Sequence, residues 1–196
     1  MKKILLIGVC FWAFSLFPFL EVYSDDEKIF ALVNLSSLDN KVVDHARKFA
    51  ELNLSVPVHM LELDEPVSGG LDKQAQAVST LFSSNHLAVV ALVEPSEKTK
   101  HHGLIVYSNK VAVINVPSLK DGTEDHQQYQ WRLDRQVIRS FGFLAGREYC
   151  SNPSCVLKQY RTLKELDQVG RNFCPPDAQK FRKEAKVQGA QFLPRQ

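Results

Sequence analysis

Three cysteines crowd the last quarter of the 196-residue chain: Cys150, Cys155 and Cys174. Thiols pair as disulfides or bind soft metal ions, and an odd number is awkward for a disulfide framework because one is left over. The first of them ends the stretch "VIRSFGFLAGREYC", Val137 to Cys150, which has the rhythm of a helix stopped by Gly146. A helix that performs metal-assisted hydrolysis carries two histidines one turn apart and a glutamate beside the first. This stretch has no histidine. Elsewhere, His101 and His102 are adjacent, so they point in different directions, and no third ligand stands near them in sequence; they read as a solvated loop. Ser140, His126 and Asp134 are the residue types of a hydrolytic triad, but no G-x-S-x-G elbow accompanies them. Ser68, Gly69 and Gly70 make a turn, without the GK that a phosphate loop needs.

The elements that must position these residues begin after a distinct N-terminal segment. Residues 1–24 open with Lys2 and Lys3 and continue with an uncharged run from Ile4 to Leu20, the layout of a secretory signal cleaved after Ser24. An uncleaved anchor is the alternative, since the run approaches spanning length, with the lysines held in the cytoplasm. Either way residues 25–196 form one exported domain, periplasmic, extracellular or membrane-anchored, that touches a membrane only through an uncleaved leader. Without the leader the formal charge falls from +2 to +1, which gives no argument for nucleic acid. In an oxidising compartment two of the three remaining thiols would pair.

The domain alternates strands with helices. "KIFALVNL" (28–35) reads as a buried strand, and residues 38–54 as an amphipathic helix with Asp39 as N-cap. A second strand spans 55–63, its Pro57 suggesting a strand start or an edge, and a second helix follows from Leu71. "HLAVVALVEP" (86–95) is the most apolar strand and belongs at the sheet centre, and two β-rich runs flank "SNK" (108–110) as a hairpin. The longest helix covers 123–146, with Trp131, Val137, Ile138, Phe141, Leu144 and Ala145 on one stripe. Thr162 and Glu165 form a capping-box pattern for a short helix that Gly170 ends, and a last helix follows "CPPD". The expected class is α/β: a mixed sheet flanked by helices, with a cysteine-bearing C-terminal helical tail.

In its order of elements over residues 28–183, and more specifically over 139–177, the chain resembles the archaemetzincins. That family of zinc metalloproteases has HExxHxxGxxH, a cysteine directly after it, then CxxxxCxM and a later CxxC. Here "GREYC" (146–150) keeps the glycine, the spacing and the cysteine. "CSNPSCVL" (150–157) keeps CxxxxCx with Leu157 in place of methionine, and "NFCPPD" keeps the first cysteine of CxxC, with Asp177 in the place of the second.

The resemblance places Arg139, Ser140, Phe143 and Tyr149 at the positions of the first ligand, the general base, the second ligand and the third ligand, with Gly146 retained. Arginine offers only donors and phenylalanine nothing, and one phenol does not retain zinc, so a catalytic zinc is not expected. Phe143 and Tyr149 then pack while Arg139 is solvated or salt-bridged; alternatively Arg139 puts its fixed charge where zinc stood and preserves an anion-binding cleft. The resemblance also implies a structural zinc held by Cys150, Cys155, Cys174 and Asp177, in competition with the disulfide and with three unlinked thiols. The expected protein is a non-catalytic, metzincin-like binding or structural protein whose partner would be a peptide or another protein. Two alternatives stand beside it: a zinc-dependent metallopeptidase drawing ligands from His101, His102 or His126, and a purely structural envelope protein.

Overall fold

The computed structural model of the chain describes residues 27–64 and 67–194. The leader or anchor expected over residues 1–24 lies outside them, and among the described residues no helix is long and apolar enough to cross a membrane.

Five strands form one sheet in the order β2-β1-β3-β5-β4. They are β1 (Ile29–Leu35), β2 (Val58–Leu61), β3 (His86–Val93), β4 (Gly103–Val106) and β5 (Val111–Asn115). The first three and β5 run parallel, and β4 pairs antiparallel with β5 from Gly103 opposite Ile114 to Val106 opposite Val111. The most apolar run, β3, is buried along its whole length at the centre, as a strand covered on both faces requires. β2, preceded by Pro57, is short and lies at one edge. The hairpin turn is a single helical turn at Tyr107–Asn109, closed by Lys110 in the left-handed region (φ 54°).

Strand periodicity sorts the core into two layers. Phe30, Leu32, Val90 and Leu92 face α1 (Asn40–Leu54) and α4 (His126–Leu144), whereas Ala31, Val33, Val89 and Ala91 face α2 (Leu71–Ser79). Asp39 caps α1 as expected, accepting from the Lys41 amide. A short helix unforeseen in the sequence, α3 (Val116–Lys120), follows β5 directly: Asn115 caps it and Pro117 takes a first-turn position that needs no N–H. The C-terminal tail folds into α5 (Leu163–Gln168) and α6 (Pro175–Val187).

α4 departs most from its expected pattern. It is buried on nearly every side, and Trp131, placed on the apolar stripe by periodicity, is 37% exposed beneath the guanidinium of Arg171. A row of arginines is buried instead. Arg132 pairs with Asp167 (2.7 Å) and donates to the carbonyls of Leu119 and Asp121, and Arg135 donates to those of Val169 and Asp167. Arg139 donates to those of Val156 and Lys158. Spaced at i, i+3 and i+7, these side chains tie one helix face to its surroundings: Arg132 to the end of α3 and to Asp167, and Arg135 and Arg139 to carbonyls of the C-terminal tail.

Candidate functional site

Two groups of residues meet around the C-terminal end of α4. The helix stops in a Schellman turn: the Arg147 amide reaches the Gly142 carbonyl (2.9 Å), the Gly146 amide reaches that of Phe143 (3.0 Å), and Gly146 sits at φ 96°. That turn aims the chain so that Tyr149 and Cys150, neighbours in sequence, serve different sites.

On one side lie the cysteines. The segment 150–158 closes on itself through the Cys150 amide and the Leu157 carbonyl (3.1 Å), and it is positioned by the close approach of Gly170. A Cβ there would come within 1.9 Å of the Ser154 carbonyl oxygen. Gly170 directly follows the Val169 C-cap of α5, where a helix-ending glycine was expected, and the close contact between two backbones also requires it. Thr162 accepts from the Glu165 amide as a capping box requires, although the Glu165 carboxylate takes the Arg161 amide rather than that of Thr162.

The segment brings Cys150, Cys155, Cys174 and Asp177 together, with one ligand atom from each lying within 4.8 Å of every other. Sγ of Cys150 and Cys174 are 3.8 Å apart, and Asp177 Oδ2 lies 3.2 Å from Cys174 Sγ and 3.3 Å from Cys155 Sγ. The three thiols are unlinked, and the Cys150–Cys174 separation exceeds the roughly 2.05 Å of a disulfide bond. Zinc–sulfur bonds of about 2.3 Å and zinc–oxygen bonds of about 2.0 to 2.2 Å give tetrahedral edges of about 3.5 to 3.8 Å; the Cys150–Cys174 separation equals such an edge, the two sulfur–oxygen separations are a few tenths of an ångström shorter, and the four ligand atoms need only small shifts to enclose one ion. Outer contacts fit the same use. The Cys174 amide points at Cys155 Sγ (3.4 Å), and Arg147 holds the other Asp177 oxygen (2.9 Å) while pairing with Glu184 (2.7 Å).

Without a cation the cluster would be a poor place for thiolates. Burial pushes the Cys155 thiol up to about 12 and raises that of Cys150 as well. Burial acts to raise Asp177 too, but hydrogen bonds from the cysteines and Arg147 outweigh it and hold the carboxyl at about 2. A divalent ion would supply the positive charge that deprotonates such thiols.

On the other side is a cavity of about 430 Å³ between α4, β4 and the Tyr160 segment. Arg139, Ser140, Phe143 and Tyr149 all line it, so the four positions that the sequence aligned with a catalytic zinc site do converge. Their side chains differ from expectation in two respects. Arg139 is neither solvated nor salt-bridged: it is 5% exposed, bound to two carbonyls, and lies against the rings of Tyr160 and Phe143 (4.8 and 5.3 Å). Tyr149 is 64% exposed rather than packed in, meeting Phe143 edge-on at 5.1 Å; Phe143 is buried as expected.

His102 is a second correction. It is half-buried rather than fully solvated, stacks on Tyr160 at 5.9 Å, bonds Ser118 (3.1 Å), and has its pKa lowered by burial. His101 beside it is exposed, and His126 opens α4 on the order of 20 Å from Arg139 along the axis. The three histidines do not converge, and the only group of three or more close metal ligands among the described residues is the cysteine cluster. Asp134, buried, pairs with Arg171 (2.8 Å) and accepts from Gln130, well apart from His126's helix start. Gln136, Tyr160 and Arg147 went unnoticed in the sequence. The signal for Arg147 was its place in "GREYC"; Tyr160 sits in a segment of no regular structure and gave none.

This α/β arrangement, with a sheet backed by α1 and α4 and a cysteine-bearing tail, is the fold shared by several solved archaemetzincins and related proteins. In fold the chain is archaemetzincin-like. It is similar to the archaemetzincin of Methanopyrus kandleri (TM-score 0.65, 18% identity, 84% of this chain and 99% of that one). It is also similar to a zinc-dependent peptidase of Methanocorpusculum labreanum (TM-score 0.61, 18% identity, 79% and 98%). A third likeness is to the archaemetzincin of Archaeoglobus fulgidus solved with malonate (TM-score 0.58, 16% identity, 77% and 98%). In sequence, 72 residues are 33% identical to an archaemetzincin of Aeropyrum pernix, covering 37% of this chain and 38% of that protein. No family model matches.

Proposed function

We propose that this is an exported, non-catalytic relative of the archaemetzincins that holds a structural zinc and uses the cleft along α4 to bind a peptide or protein. Export rests on the leader-like residues 1–24. One observation carries the rest: four residues of the types that form a closed zinc site bring their ligand atoms within 4.8 Å of one another, while the cleft that corresponds to the catalytic centre is lined by Arg139, Ser140, Phe143 and Tyr149. Cys150, Cys155, Cys174 and Asp177 would hold the ion, which fastens the segment 150–158 to α6. In the cleft, Ser140 has no carboxylate to take a proton from water, and Arg139 and Phe143 cannot ligate. The cleft therefore offers shape, aromatic walls and positive charge to a ligand, alongside the open edge of β4.

Metal analysis of the purified protein, combined with a peptidase assay with and without chelator, tests this reading. The expected result is about one zinc per chain, lost in Cys155→Ser, and no peptide cleavage under either condition. Chelator-sensitive cleavage, or a second zinc lost in His102→Ala, would overturn it.

A further inference from the structure

The cleft's lining carries charge of one sign. Its lining contains Lys100, Arg139 and Arg161 together with His101 and His102, and no aspartate or glutamate. Lys100 and Arg161 are exposed at the rim and join no ion pair among the described residues. Arg139 is the telling member. Nη1 alone is used, on the Val156 and Lys158 carbonyls; Nε and Nη2 have no acceptor among the described residues, and the side chain borders the cavity. The groups facing it are Tyr160, Tyr149 and Cys155, none of them a carboxylate. A buried cation without an anionic partner is costly, and burial works against its charge; an anion in the cleft would relieve that cost.

We infer that the free edge of Arg139 is a recognition site for a carboxylate, in which Nε and Nη2 form a fork onto its two oxygens while Lys100 and Arg161 draw it in. The choice of carboxylate follows from shape. A guanidinium edge presents two coplanar donors that match two coplanar oxygens. The Tyr160 and Phe143 rings crowd the group, which suits a planar anion better than tetrahedral phosphate. Such a carboxylate would come from the free C-terminus of a peptide or from a small organic acid; the cavity, about 430 Å³, is large enough for either. This inference rests on the cleft being a binding site, and it adds what is bound there.

Calorimetric titration of the purified chain with two matched pairs tests it: benzoate against benzamide, and trialanine against trialanine amide. Each acid is expected to bind at least tenfold more tightly than its amide, and Arg139→Lys to abolish that preference while zinc content and melting temperature stay near wild type. Should Arg139→Lys fail to fold, a Lys100→Ala, Arg161→Ala double variant gives the same readout, with the preference reduced at least threefold at low salt. Preference confined to trialanine identifies a peptide C-terminus as the source, and preference confined to benzoate a small acid. Equal binding of acids and amides, no binding of any of the four probes at 10 mM, or displacement of the acids by an equal concentration of inorganic phosphate overturns the inference. Cleavage of a longer peptide would instead overturn the non-catalytic reading, whichever carboxylate result is obtained.

Discussion

The cleft and the cysteine cluster lie on either side of one peptide bond, that between Tyr149 and Cys150, yet they stand in contrasting chemical conditions. At the cluster three thiols and a carboxylate converge with their outer hydrogen bonds in place. In the cleft the positions also converge, but an arginine, a serine, a phenylalanine and a tyrosine fill them. A fold can keep a site's geometry while its chemistry changes, provided the residues that set geometry lie elsewhere. Here those are Gly146, which ends α4, and Gly170, which seats the cysteine segment. The two regions are not fully independent, because Arg139 reaches through to the carbonyls of Val156 and Lys158, next to Cys155.

The strongest way to break this contrast is to remove a thiol. Cys155→Ser is expected to abolish zinc binding and to cost as much as about 10 kcal/mol of stability, with loss of cooperative unfolding measured by circular dichroism. Retention of both metal and stability would mean that the cluster is only a packed group of thiols. Next in size is Gly170→Ala. The Cβ meets backbone rather than a movable side chain, and a destabilisation of about 3 kcal/mol, accompanied by faster zinc release to chelator, should appear in denaturant titration.

Arg139→Met sharpens the division from the other side. Two buried carbonyls lose their donor, for a cost of about 1 to 3 kcal/mol, while one zinc per chain should remain. If the metal departs as well, the regions form one unit. Acidity offers a graded probe of the cluster alone. Burial raises the Cys150 and Cys155 thiols above their ordinary value, so without metal these two stay protonated, and metal binding must release their protons. Zinc affinity should therefore fall with decreasing pH by up to about tenfold per thiolate per unit, followed by competition with a chromophoric chelator. The smallest effect on metal content is expected of Asp177→Cys, which completes a four-thiolate set and should keep one zinc per chain; it strips the buried Arg147 of one carboxylate while Glu184 remains, and denaturant titration should show a loss of up to about 3 kcal/mol.

The sequence revealed the sheet because its signals are local. An unbroken apolar run named β3 as central, Pro57 marked β2 as an edge, and "SNK" marked the hairpin. The four ligands of the cluster were legible only through a family's spacing. What escaped was the role of α4's arginines. An arginine row at helical spacing has the same pattern whether it meets water or buried carbonyls, and only the path of the tail, through residues 156–158 and 167–169, decides which. For the same reason Arg139 was expected to be solvated or ion-paired. Trp131 failed in the opposite sense: an apolar surface covered by Arg171 rather than by core satisfies periodicity without being buried.

The Schellman turn at Gly146 also fixes an angle. Each residue of an α-helix advances the chain direction by about 100° and 1.5 Å, so the point at which α4 stops determines where the following residues are sent. Stopping one residue earlier or later would swing Cys150 away from Cys174 and carry Tyr149 off the rim of the cleft together. Single-residue insertions or deletions between Arg139 and Gly146 thus shift both sites at once, whereas length changes beyond the helix, in the exposed stretch Ser151–Ser154, would have to be absorbed by the cysteine segment alone.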